Sequence, residues 1–128
     1  MGTGTSIGRV RGLGAAKEGT HHWWRQRLTA GGNIALMTWL LLSLAGLGGY
    51  DLASVRMWAA SPWVAIPLAL LVINVFYHFR LGLQVVIEDY QHDETRVVLM
   101  VLLNLYTVVL GAVALFAILQ IAFTGAAR

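Results

Sequence analysis

His78 and the pair Asp89-Tyr90 combine residue types and a spacing that could do chemistry. His78 lies inside the apolar run PWVAIPLALLVINVFYHFRLGLQVVIEDY, with Arg80 close behind it. An imidazole at membrane depth is costly and marks a functional position by default. Histidine is also a frequent ligand of haem iron. The same run closes on Glu88-Asp89-Tyr90, where a carboxylate and a phenol could donate or relay protons to a ligand near the membrane surface. On an ideal helix each residue advances about 100° and about 1.5 Å. Asp89 then returns to nearly the azimuth of His78 about 16 Å further along, and Tyr90 is rotated by about 120°. Gly82 falls one turn from His78 on the same face, where a missing side chain admits a flat macrocycle or a second helix. Asn74 falls one turn to the other side. Arg80 points away from this stripe and must snorkel, pair, or face a partner subunit. The plainer readings are a histidine hydrogen-bonded to a neighbouring helix and an interfacial tyrosine at a polar helix end.

The elements that must position these residues are transmembrane helices. The chain is 58% hydrophobic and 12% charged, far from the balance of a soluble domain. Three apolar stretches reach the roughly 20 residues that a bilayer crossing needs. They predict helices over about 28–49, 62–90 and 95–124, an all-α, up-down-up three-helix bundle. Residues 1–27 are expected as a tail with an interfacial segment, and 28–128 as the membrane anchor. Ser61-Pro62 is a helix-start signature, and Pro67 could bend the second helix. The connection 51–61 has room for one amphipathic turn around Met57-Trp58. Gln91-His92-Asp93-Glu94-Thr95 suits a tight antiparallel return. No room is left for a soluble catalytic domain, so the chain is not expected to be an enzyme by itself.

Cysteine is absent, which excludes disulfides and iron–sulfur clusters held by this chain. The net charge of +3 does not indicate nucleic acid, because the basic residues gather in the tail as a topology signal. The first 20 residues contain no apolar core of a secretory signal, which needs about 7–15 residues. Arg9, Arg11, Lys17, Arg25 and Arg27 precede the first helix, whereas the first connection carries only Arg56. The positive-inside rule then predicts the N-terminus inside and the C-terminus outside. Trp23-Trp24 is expected as an interfacial anchor. Arg27, at the inner end of the first helix, could pair with a carboxylate such as a haem propionate, or simply set topology. His21 has the same two readings. No second histidine lies at the depth of His78, so a six-coordinate haem would need its other ligand from another polypeptide.

His78-Phe-Arg-Leu-Gly82-Leu-Gln84-Val-Val-Ile-Glu-Asp89-Tyr90 resembles the small hydrophobic membrane anchor, of cytochrome b type, in succinate dehydrogenase, respiratory complex II. That family shows a His, a Gly four residues on, a Gln or similar residue, then Asp-Tyr with Tyr twelve after the His. His21 and Arg27 followed by Thr29-Ala30 give a second, less specific match. The resemblance implies electron transfer from succinate to ubiquinone and a haem b shared with a second hydrophobic anchor subunit. It also implies partnership with an iron–sulfur subunit and a flavoprotein subunit on the inner face. By the same carry-over His78 is the haem axial ligand, Arg27 and His21 meet the propionates, and Tyr90, supported by Asp89, binds the quinone. A bacterial inner membrane is favoured over a mitochondrial one. The alternative is a non-redox or haem-free scaffold, such as a fumarate reductase anchor.

Overall fold

The computed structural model describes residues 19–125. Arg9, Arg11 and Lys17 of the basic tail, and Arg128, lie outside the described residues. Four helices follow one another: α1 (Gly19–Ala45), α2 (Leu52–Ala60), α3 (Pro62–Tyr90) and α4 (Asp93–Thr124). No strand occurs among the described residues. α1, α3 and α4 are each long and apolar enough to cross a membrane. The chain is a multi-pass, all-α membrane protein with the expected three spans.

The first helix starts earlier than its apolar stretch. α1 begins at Gly19 rather than Leu28 and runs for 27 residues, about 40 Å at 1.5 Å per residue. The hydrocarbon core is about 30 Å thick, so hydropathy registers only part of such a helix. His21, His22 and the two tryptophans therefore form its first turns. Its exit is the glycine-rich stretch after Ala45, where the Gly46 amide still donates to Leu42 O and the Tyr50 hydroxyl donates to Leu44 O at 3.0 Å.

α2 is a full nine-residue helix rather than a single turn. Asp51 starts it: Oδ2 accepts from the amides of Ala53 and Ser54 at 3.1 and 3.2 Å, and Oδ1 accepts from Ser54 Oγ at 2.6 Å. These bonds satisfy amides that a helix start would otherwise leave unpaired. Trp58 Nε1 donates to Ser43 Oγ at 2.9 Å and ties α2 to the end of α1. Ser61 caps α3 by backbone geometry alone, with Pro62 in the first position as expected, and α3 continues past Pro67. The return between α3 and α4 is tight: only Gln91 and His92 separate them. Asp93 opens α4 at φ 54°, a left-handed conformation that Asp tolerates better than most side chains.

α3 is the central element, packed on α1 along one side and on α4 along the other. Gly82 approaches Gln26, His78 meets Thr29, and Gly32 meets Asn74. The register is antiparallel, so the start of α1 and the α3–α4 return share one end of the bundle. α2 lies at the other end with the close of α4, where a side chain at Gly125 would come within 2.9 Å of Ala60 Cβ. The fully buried core is small, centred on Leu81 and Leu103, whereas Trp63, Leu28 and Phe123 are wide open. This inverted distribution suits a bundle surrounded by lipid rather than by water.

Candidate functional site

A seam of polar side chains runs between α1 and α3. Helical spacing puts His22, Gln26, Thr29 and Asn33 on one face of α1, opposite Asn74, His78 and Gly82 of α3. Asn74 uses its amide nitrogen twice, donating to Thr29 O and to Asn33 Oδ1, each at 2.7 Å. Gly32 makes room for this: a Cβ there would lie 2.9 Å from Asn74 Nδ2. That nitrogen is held by two hydrogen bonds and cannot withdraw cheaply. Interhelical polar contacts of this kind are worth roughly 0.6–2 kcal/mol each in membranes.

His78 sits at the centre of the seam, half-buried, with Nδ1 2.9 Å from Thr29 Oγ1. No hydrogen bond engages Nε2 among the described residues. An imidazole fixed through one nitrogen and open at the other has the arrangement of a metal-bound histidine. No group of three or more His, Asp or Glu side chains that could hold a metal occurs among the described residues. The two ring nitrogens of His78 thus differ: Nδ1 is engaged by α1, and Nε2 has no hydrogen-bond partner among the described residues.

Toward the shared end of α1 and α3 the seam opens into a groove of about 650 Å³, lined among others by His22, Trp23, Gln26, Gly82, Gln84 and Glu88. His22 Nε2 and Gln26 Oε1 are buried without a hydrogen-bond partner. Buried polar atoms are rarely left so, and these two would suit a polar group entering the groove. Gln84 Nε2 donates to Glu88 Oε1 at 2.9 Å along its rim.

The other residues singled out by sequence are placed differently. Arg27 is exposed, with its guanidinium 4.3 Å from the centre of the Trp23 ring, a cation–π contact. It is rotated by about 160° from Thr29 on an ideal helix. His21 is exposed in the first turn of α1, and neither residue lines the groove. Asp89 and Tyr90 end α3 at the groove's end of the bundle, both exposed, and are not brought into contact with His78. Sequence reasoning picked His21 and Arg27 and passed over His22, Gln26 and the pairing role of Thr29. The signal was available as the polar stripe 22, 26, 29, 33 at helical spacing. Arg80, left open between snorkelling and pairing, pairs: Nε donates to Asn104 Oδ1 on α4, and Asn104 Nδ2 donates to Met100 O at 2.8 Å.

Comparison with known proteins gives a consistent picture. Residues 1–121 match the family described as succinate dehydrogenase/fumarate reductase transmembrane subunit. The chain is 35% identical over 114 residues to a succinate dehydrogenase hydrophobic membrane anchor subunit of Rickettsia bellii, covering 86% of this chain and 91% of that one. It is 34% identical over 116 residues to the subunit of that name from Rickettsia conorii, with coverage of 86% and 91%. The counterpart from Paracoccus denitrificans is 31% identical over 87 residues, covering 68% of this chain and 67% of that one. No solved structure matches the chain.

Proposed function

The chain belongs to the succinate dehydrogenase/fumarate reductase transmembrane subunit family, and from that premise we propose that it anchors a succinate:ubiquinone oxidoreductase in a bacterial inner membrane. In this reading it contributes one axial ligand to haem b and part of the quinone site. The observation that carries the reading is the seating of His78. It is the sole histidine within the α3 span, its Nδ1 is held by α1, and its Nε2 is left for a ligand. When bound, haem b supplies a one-electron redox centre between the anchors. A second histidine ligand would have to come from the other hydrophobic anchor, since His21, His22 and His92 lie near the helix ends and not at the depth of His78.

Each end of α3 has a part in this reading. Gly82, one turn from His78, lines the groove beside Gln26 and puts no side chain into it, which would let a planar ring approach there. His22 and Gln26 line the groove; the buried His22 Nε2 could donate to a carboxylate entering from that side, whereas Gln26 Oε1 would accept from a donor. Arg27 and His21 stand at the same end and remain candidates for propionate contact through rotation of their long or exposed side chains. Tyr90 would donate a hydrogen bond to a quinone carbonyl, with Asp89 handling the proton. The N-terminus and the α3–α4 return would face inward, toward the iron–sulfur and flavoprotein subunits.

The test is a reduced-minus-oxidised optical spectrum of membranes containing the assembled complex. His78→Ala should abolish or shift the b-type signal, and His92→Ala, in the α3–α4 return, should leave it intact. An unchanged spectrum in His78→Ala removes His78 as the ligand and favours the haem-free scaffold reading.

A further inference from the structure

We propose that Thr29 is a positioning residue for the His78 ligand: its hydroxyl accepts the Nδ1 proton, which fixes the imidazole tautomer and turns the Nε2 lone pair outward. This rests on the reading that His78 binds a haem iron. The inference follows from counting protons. A threonine hydroxyl has one proton to give. Thr29 Oγ1 lies 2.7 Å from Arg25 O and 3.1 Å from Gln26 O, the carbonyls of the preceding turn. A carbonyl oxygen cannot donate, so an oxygen–oxygen contact of 2.7 Å is attractive only if the hydroxyl proton lies within it. That proton is therefore committed to the α1 backbone. The 2.9 Å contact to His78 Nδ1 must then run the other way, with Nδ1–H donating to Oγ1.

Three features make this a built arrangement. Thr29 is buried, at 7% exposure, in a helix whose other residues are mostly open. Its backbone carbonyl is held by Asn74 Nδ2 one turn from His78, so the hydroxyl is registered against α3 by a second bond. The close approach that both bonds need is granted at Gly32. A hydrogen bond from the distal nitrogen of a ligating imidazole fixes ring orientation and raises ligand basicity, and its loss typically costs about 10–100-fold in metal affinity. A buried Nδ1–H without an acceptor also carries a desolvation penalty.

The experiment uses the complete complex, isolated with Thr29→Val, Thr29→Ser or His78→Ala. Thr29→Val keeps the shape and removes the hydroxyl. Haem retention through detergent washing should fall about tenfold or more in Thr29→Val, and the haem midpoint potential should move upward as the ligand becomes less basic. The electron paramagnetic resonance signature of the oxidised haem should change in parallel. Thr29→Ser should restore all three. If valine prevents assembly, Thr29→Ala is read in the same way. Native retention and potential in Thr29→Val, alongside haem loss in His78→Ala, would overturn the positioning role while leaving the ligand intact. Equal shifts in Thr29→Val and Thr29→Ser would make the effect one of packing and overturn it as well. A native spectrum in His78→Ala would remove the ligand assignment itself, and this inference with it.

Discussion

Tyr90 closes α3 with 76% of its surface exposed, at the end of the bundle where the α1–α3 groove opens. A lipid-soluble quinone can reach such a phenol from the bilayer. As the quinone is reduced its carbonyl oxygens gain negative charge, and a hydrogen bond to them strengthens as that charge develops. Tyr90→Phe removes the donor and little else. Succinate-driven quinone reduction should fall at least about tenfold, or roughly 1.4 kcal/mol of transition-state stabilisation. Succinate oxidation by an artificial acceptor that draws electrons from the soluble subunits should be unaffected. Two unchanged rates would leave Tyr90 as an interfacial anchor. Arg80 illustrates what pairing does within the membrane: its link to Asn104 ties α3 to α4 through a charge that would otherwise face lipid alone.

Among the elements, α2 is the short one, nine residues between the first two spans. Asp51 is its cap, and hydrogen bonds from Ser54, first through its side chain and then its amide, hold the Asp51 carboxyl below its ordinary value of 3.8. A depressed carboxylate pKa contributes stability that is present above the unfolded value and lost as pH falls through the folded one. Protection of the Ala53 and Ser54 amides, taken relative to the unfolded chain at the same pH, should therefore be full at neutral pH and fall as the pH drops below 3.8. Asp51→Ala should lower that protection at neutral pH, while Asp51→Asn, which keeps an acceptor, should leave protection that no longer depends on pH. Unaltered exchange in Asp51→Ala would show that α2 is held by the Trp58–Ser43 bond and not by its cap. The three spans, the Ser61-Pro62 start and the tight α3–α4 return were legible from hydropathy and turn residues. The start of α1 was not, because a helix that outruns the hydrocarbon leaves no hydropathy edge. The partner of His78 was not legible either. A threonine on an apolar helix gains meaning only when the α1–α3 register puts it opposite the imidazole, and register is a tertiary property.

At the scale of the molecule, the antiparallel register puts α2 and the close of α4 at one end and the groove at the other. The basic residues near the start of α1 should hold the groove end inside. A reporter fused after Arg128 should then give periplasmic-type activity, and cytoplasmic-type activity would reverse the orientation. The wide apolar surface around so small a core suits lipid and, in the proposed complex, the helices of the second anchor. The most direct measurement is to isolate the chain by an affinity tag from mildly solubilised membranes and assay the preparation for succinate-driven quinone reduction together with a b-type haem spectrum. Both should accompany the chain through purification in constant proportion. A chain that isolates intact with lipid and other helices, but with neither succinate oxidation nor haem, would contradict its role as the anchor of a succinate:quinone oxidoreductase.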